Sequence, residues 1–166
     1  MKWKGLTILQ FLLLLTAIAI GASVAIPAYF SRPDVTLENA AVLLARDLRS
    51  VQNRSAYLGL PARLEFFPEG NGYRATDENG NVVHNPRTDL LFIRDYNRDA
   101  VFEGVSVKSL DLGEDRRVTY DGRGFATATG RITLVMGDAE RTIVVEKRTG
   151  NISILGSTSG WQDLGF

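Results

Sequence analysis

Hydrophobic and polar positions divide the chain into three stretches of different period. From Leu6 to Phe30 there is no period: the run is apolar on every side. Only Thr7, Gln10, Thr16 and Ser23 interrupt it, with Tyr29 near its end. As one helix it would be about 37 Å long, enough for a hydrocarbon core of about 30 Å. From Leu37 to Leu58 the period is helical. Leu37, Ala41, Leu44, Leu48, Val51, Ser55 and Leu58 fall three and four apart on one face. Arg46, Asp47, Arg49, Gln52, Asn53 and Arg54 lie mostly off that face. From Pro61 onward the period shortens towards two, and glycine turns recur.

These periods predict a fold. Pro27 lacks an amide donor and is expected to kink or break the first helix near Ile26. Ser31-Arg32-Pro33-Asp34 restarts a helix, with Ser31 or Asp34 able to cap its free amides. Gly59-Leu60-Pro61 ends that helix, as a C-terminal glycine and a helix breaker should. Strands are predicted at Ala62–Phe66, Gly72–Thr76, Val82–His84, Asp89–Tyr96, Val101–Leu110, Arg117–Asp121, Phe125–Ala128, Arg131–Met136, Arg141–Glu146 and Asn151–Leu155. Asn79-Gly80 is the strongest hairpin signal among the turns between them. Strands at this spacing indicate an antiparallel meander, and the apolar face of the helix needs a sheet to lie on. The fold class is therefore α+β: a long N-terminal helix, transmembrane and then amphipathic, packed on an antiparallel, sandwich-like head. The expected divisions are a leader at 1–5, a membrane helix at 6–30 and a domain at 31–166. Within that domain the amphipathic helix covers 34–58, the β-rich head 61–155 and a C-terminal tail 156–166. The tail is expected to be a loop, with Trp161 and Phe166 folded back on the body.

Composition narrows the function. The 166 residues carry 19 basic and 19 acidic side chains, so no overall positive charge points to nucleic acid. There is no cysteine, which excludes a lipid-modified cysteine and leaves redox compartment unread. Three kinds of segment begin with Met1-Lys2-Trp3-Lys4-Gly5 and an apolar run. A secretory signal peptide fits the basic head, with small-residue cleavage sites near Ala19-Ile20-Gly21 and Ser23-Val24-Ala25. Its apolar region, however, spans only about 7–15 residues. A plain signal anchor would hold a periplasmic domain on the bilayer, its two lysines keeping that end in the cytoplasm. A prepilin leader is the third.

The residues around Gly5 resemble that third kind. In type IV pilins and type II secretion pseudopilins a short basic leader ends in glycine before an apolar residue. A prepilin peptidase/N-methyltransferase cuts there and methylates the new amine. The resemblance implies a cut between Gly5 and Leu6, with Leu6 N-methylated. Gly5-Leu6-Thr7-Ile8-Leu9-Gln10 stands where the family usually reads Gly-Phe-Thr-Leu-Ile-Glu. Pro27 is the twenty-second residue counted from Leu6, where many of these proteins have proline. Cutting removes Lys2 and Lys4 and leaves the chain two charges negative. Gln10 departs from the family glutamate, which is thought to neutralise a neighbouring subunit's amine. Gln10 accepts a hydrogen bond but carries no charge, so weaker pairing with a neighbour's Leu6 amine is expected. This suits a minor or tip subunit better than a bulk one; drift in a scarce component gives the same residue. The stretches Leu44–Ser50, Gly59–Leu64, Tyr120-Asp121-Gly122-Arg123-Gly124-Phe125-Ala126, Gly130–Leu134 and Thr149-Gly150-Asn151-Ile152 resemble the GspH/FimT minor pseudopilins. The family implies a structural subunit of a pseudopilus or pilus. Its partners would be the peptidase, other pilin-like subunits and inner-membrane lipid, with the head in the periplasm and no cofactor.

Candidate chemistry elsewhere is sparse. His84 is the sole histidine and, without cysteine, builds no zinc cluster or triad. Asp95, Asn97 and Asp99 alternate like the start of a calcium loop, but Ala100 and Ser106 stand where that loop needs glycine and glutamate. Gly122-Arg123-Gly124 reads as a turn, since no phosphate-binding spacing or following helix accompanies it. Arg116, Arg117, Arg123, Arg131, Arg141, Lys147 and Arg148 cluster in the second half. Some relatives in the FimT branch are associated with DNA uptake, so a DNA-binding minor pilin is the alternative. Acidic residues are interleaved with this cluster, which is the ordinary pattern of a mixed-sign surface. No constellation suggests an enzyme.

Overall fold

The computed structural model describes residues 8–30, 33–86, 88–113 and 115–156, and for 22–30 the backbone alone. Two helices precede eight strands. Helix α1 spans Ile8–Phe30 and helix α2 spans Pro33–Leu58. Strands β1 (Ala62–Phe66), β2 (Gly72–Asp77), β3 (Ile93–Asp95) and β5 (Arg117–Tyr120) form one antiparallel sheet in the order β3-β2-β1-β5. Strands β4 (Ser106–Asp111), β6 (Gly130–Met136), β7 (Ala139–Val145) and β8 (Ile152–Leu155) form a second, in the order β4-β6-β7-β8. This is an α+β fold in which α2 lies across both sheets, touching β1, β5, β6, β7 and β8.

The helical stripe explains the placement of α2. Leu37, Ala40, Ala41, Leu44, Leu48 and Val51 are all buried, and they meet Leu64 and Tyr73 of one sheet and Ile132, Leu134 and Ile143 of the other in one core. Leu58, the last residue of the predicted face, is exposed, because the helix ends there. Proline at the first helical position suits α2, whose first-turn amides lack intrahelical partners anyway. Asp34 sits inside that turn; Ser31, the other capping candidate, lies outside the described residues. Gly59 closes the helix at φ 68°, its amide donating to the Ser55 carbonyl at 2.9 Å.

The two sheets bear out the sandwich-like head, but a single meander is not formed: β4 leaves the first sheet to pair with β6, and β5 returns to pair with β1. Val82–His84 and the first half of Asp89–Tyr96 form only isolated bridges, Thr76 with Val82 and His84 with Leu91. Val101–Gly104 is a turn, so Val101 is exposed while Val105 is buried and the strand starts at Ser106. Beside β6, that strand β4 seeds the second sheet, with a bulge between Val107 and Ser109. Phe125–Ala128 contributes one bridge, Tyr120 with Ala126. Helix α1 runs through Pro27 to Phe30, so the helix is not broken near Ile26. Proline removes one amide there, and the few residues after it are the end of the helix, where little of the hydrogen-bond ladder remains to lose.

Candidate assembly site

Polar contacts as well as apolar packing hold α2 to the sheets. Asp47, at its middle, is buried. Its Oδ2 accepts from the Tyr73 hydroxyl of β2 at 2.9 Å and from Arg94 Nε of β3 at 3.0 Å. Burial above all, then Tyr96 and Asp47, pushes the Tyr73 phenol well above the ordinary range, so it stays a donor. Tyr73 also sits in an edge-on ring ladder, 5.8 Å from Phe66 and 6.0 Å from Tyr96. Asp47 had been placed mostly off the apolar face. It lies three residues after Leu44 and four before Val51, a spacing that puts it on the face. Nearer the start of α2, Glu38 Oε2 accepts from the buried Arg141 Nε of β7 at 2.8 Å. One carboxylate of α2 thus locks onto each sheet.

The C-terminal end of α2 is clasped by the glycine loops. Gln52 Nε2 donates to the Gly124 carbonyl at 2.9 Å and to the Thr149 carbonyl at 3.1 Å. The Ser55 hydroxyl lies 2.5 Å from the Asp121 carbonyl and 2.8 Å from that of Leu60, and can donate to one at a time. A Cβ on Gly122 would stand 2.4 Å from the Gly59 carbonyl oxygen, and one on Gly150 2.4 Å from the Gln52 amide. The Gly122-Arg123-Gly124 and Thr149-Gly150 motifs are therefore turns that also let the helix approach. Asp121 Oδ1 accepts the amides of Phe125 and Arg123, each at 2.9 Å. The Phe125 amide first, then the Arg123 amide and side chain, hold its carboxyl below the usual range.

The surface of α1 is different. Phe11, Leu12, Leu13, Leu14 and Leu15 are all exposed. Successive helical residues point about 100° apart, so these five cover the whole circumference. The Thr16 hydroxyl donates to the Leu12 carbonyl at 2.8 Å, which satisfies it within the helix. Gln10 is the third residue of α1 and is exposed. Pro27 lies in its last two turns, and Gly5 and Leu6 lie outside the described residues, as do Trp161 and Phe166. Among the described residues no helix is long and apolar enough to cross a membrane, and the side chains described in α1 stop at Gly21.

The other candidates resolve into local structure. His84 Nδ1 lies 2.7 Å from the Asp89 carbonyl in an exposed loop. Asp95 caps a short 3-10 turn, Tyr96–Arg98, by accepting the Asn97 amide, and Asp99 accepts that of Val101. Among the described residues no group of three His, Cys, Asp or Glu side chains is placed to hold a metal. The basic residues of the second half do not form one face. Arg141 is buried on Glu38, Arg117 pairs with Asp115 at 2.5 Å, Arg123 pairs with Asp121 at 3.2 Å, and Arg116 donates to the Phe67 carbonyl. The groups with shifted titration are core tyrosines, turn-capping aspartates and Arg94 of the Asp47 pair. Burial and capping account for the tyrosines and the aspartates.

By sequence alone, no family model and no curated protein matches the chain. Solved structures do match its fold. The type IV minor pilin FimU of Pseudomonas aeruginosa superposes with a TM-score of 0.53 at 15% identity, over 71% of this chain and 87% of FimU. A second crystal form of FimU gives 0.50 at 13% identity, over 71% and 91%. The minor pseudopilin EpsH of the Vibrio cholerae type 2 secretion system gives 0.48 at 11% identity, over 72% and 95%. At these identities the likeness to FimU is one of fold, and the fold of this chain is pilin-like: an N-terminal helix packed on two antiparallel sheets.

Proposed function

We propose that this chain is a minor pilin or minor pseudopilin, a non-catalytic subunit of a type IV pilus or type II secretion pseudopilus. One observation carries the reading. A chain with a pilin-like head also has a helix, α1, whose described apolar side chains are exposed on every side. About 25 cal/mol per Å² favours covering such surface, and nothing among the described residues of the head covers it. The charge-free run Leu6–Phe30 would first lie in inner-membrane lipid, with the head in the periplasm, and then pack against other pilin-like subunits. Prepilin peptidase/N-methyltransferase would cut after Gly5 and methylate Leu6. Gln10 would sit near a neighbour's Leu6 amine as an uncharged acceptor.

N-terminal mass analysis of the protein purified from membranes tests this. The expected chain begins at methylated Leu6, and Gly5→Asp leaves it uncut yet still in the membrane. A chain that keeps Met1, or begins between Gly21 and Ile26, would overturn the reading.

A further inference from the structure

Asn-Gly occurs twice in the chain, at the start of β2 as Asn71-Gly72 and just beyond its end as Asn79-Gly80. Asparagine before glycine is chemically vulnerable. No Cβ shields the glycine nitrogen, which can reach the asparagine Cγ when the peptide bond between them is free to turn. Asn71-Gly72 is clamped. The Asn71 carbonyl accepts from the Tyr96 amide at 2.7 Å, and the Gly72 carbonyl from the Phe67 amide at 3.0 Å. Gly72 is paired with Asp95, so closely that a Cβ on it would stand 2.0 Å from the Arg94 carbonyl oxygen. The half-buried Asn71 side chain donates from Nδ2 to Asp95 Oδ1 at 3.4 Å. Turning this peptide bond would part β3 from β2.

Asn79-Gly80 is open. Both residues are exposed, and a Cβ on Gly80 would meet nothing within 4 Å. The Asn79 amide donates to Asp77 Oδ1 at 2.9 Å, but among the described residues nothing bonds the Asn79 carboxamide. The Gly80 amide makes a longer bond, 3.2 Å, to the Asp77 carbonyl. Gly80 sits at φ 85°, one of several wells that glycine visits at little cost. The chain's one Asp-Gly pair, Asp121-Gly122, is closed in another way. The Phe125 and Arg123 amides hold its carboxyl in the charged form, and a carboxylate is a poor electrophile. Gly122 itself is wedged against the Gly59 carbonyl.

We propose that Asn79 is a self-modification site, where the folded chain deamidates while Asn71 and Asp121 are spared. The Gly80 backbone nitrogen attacks Cγ of Asn79. A bond forms between them, and the Cγ–Nδ2 bond breaks. The Gly80 nitrogen gives its proton to solvent, and Nδ2 takes one up and leaves as ammonia. Water then opens the cyclic imide at either carbonyl, giving aspartate or isoaspartate. Nothing is oxidised or reduced; the net change is water in and ammonia out. The new carboxylate falls beside those of Asp77 and Glu78. Isoaspartate also adds a methylene to the backbone of a turn that the Asp77 amide closes on the Asn81 carbonyl at 2.9 Å. Beyond that turn the Val83 amide donates to the Ala75 carbonyl at 3.0 Å, and the Ala75 amide to the Phe92 carbonyl at 2.9 Å. Val83 and Phe92 are both buried. The modification therefore acts on the joint that pins the 82–92 segment to β2. It runs one way, so its extent records the age of the folded head.

The test compares the two dipeptides within one molecule. The full chain is held folded in mildly alkaline heavy-oxygen water, then digested in ordinary water and read by peptide mass spectrometry. Label then marks only carboxyls made while the chain was folded. Asn79 is expected to convert about tenfold faster than Asn71. In urea the two sites should convert at similar rates, because only the dipeptide then matters. Gly80→Ala should slow the site about tenfold by shielding the nitrogen, and Asn79→Gln should leave it unlabelled. Equal rates at Asn71 and Asn79 in the folded chain would overturn the proposal. So would an unlabelled Asn79 after a time in which the unfolded chain is fully converted there. An unchanged rate in Gly80→Ala would overturn the cyclic route. Amide exchange at Val83 should quicken about tenfold in the isoaspartyl fraction, and unchanged exchange would overturn the effect on the 82–92 segment.

Discussion

Helices α1 and α2 are neighbours in sequence, similar in length, and opposite in how they bury surface. Helix α1 has 23 residues and α2 has 26. In α1 successive leucines are exposed all round, and from Leu6 to Phe30 there is no acid or base. In α2 one stripe is fully buried, two carboxylates are locked to the sheets, and the far end is clasped by glycine loops. The difference shows where each helix draws its stability. Helix α2 is held by this chain's own core. Helix α1 gains nothing comparable from the described residues of the head, and on the proposed function it would draw on lipid or on other subunits. On that reading the head would stay folded while the helix changes surroundings.

The largest expected effect separates the two helices. Leu44→Ala removes a fully buried side chain at the junction of both sheets and should cost about 3 kcal/mol in urea unfolding of the head. Leu14→Ala in α1 should leave the same transition unmoved. A comparable loss from Leu14→Ala would mean that α1 shares the core of the head, and the contrast would fail. Gly122→Ala comes next. Its Cβ would meet a backbone oxygen of Gly59, which cannot swing aside as a side chain would, so a loss of about 2 kcal/mol is expected. Gly21→Ala in α1, where nothing stands in the way of a Cβ, is the matched control. Asp47→Asn is smaller. It keeps an acceptor for Tyr73 but gives up the charge facing half-exposed Arg94, a loss of about 1–2 kcal/mol. Combining it with Arg94→Gln should cost less than the two losses added, and strict additivity would show that the pair does not couple.

What could be read from the sequence follows the same division. Period three-four gave the buried face of α2 almost residue by residue, because one helix face against a sheet imposes that spacing. Local turn chemistry located Gly59 and Asn79-Gly80, since each is decided by a few adjacent residues. The assignment of strands to two sheets was not legible. It depends on which edges pair, and the 78–105 segment keeps only β3 of the expected strands, the rest being bridges and turns. The locks were also missed. Asp47 was set aside as polar although its spacing placed it on the buried face. Glu38 and Arg141 are more than a hundred residues apart, and no local pattern joins them. Arg141 instead read as part of a basic cluster that the fold disperses.

Acid sharpens the contrast most gently. Asp121 holds the loop that clasps α2, and its carboxyl lies below its usual range because the Phe125 and Arg123 amides bond the charged form. A carboxyl lowered on folding contributes stability that is complete above the unfolded value of about 4 and is lost as pH falls through the folded value. Asp77, lowered first by the Asn81 amide at the turn after β2, acts with the same sign. The urea midpoint of the head should therefore decline as pH drops from about 5 to 2. Asp121→Asn, which keeps an acceptor but cannot titrate there, should flatten part of that decline. Helix α1 has no carboxyl or amine between Leu6 and Phe30 to respond, so association of the chain with vesicles should hold steady across the same range. Vesicle release in step with the head's acid transition would show that the two helices are not independently held.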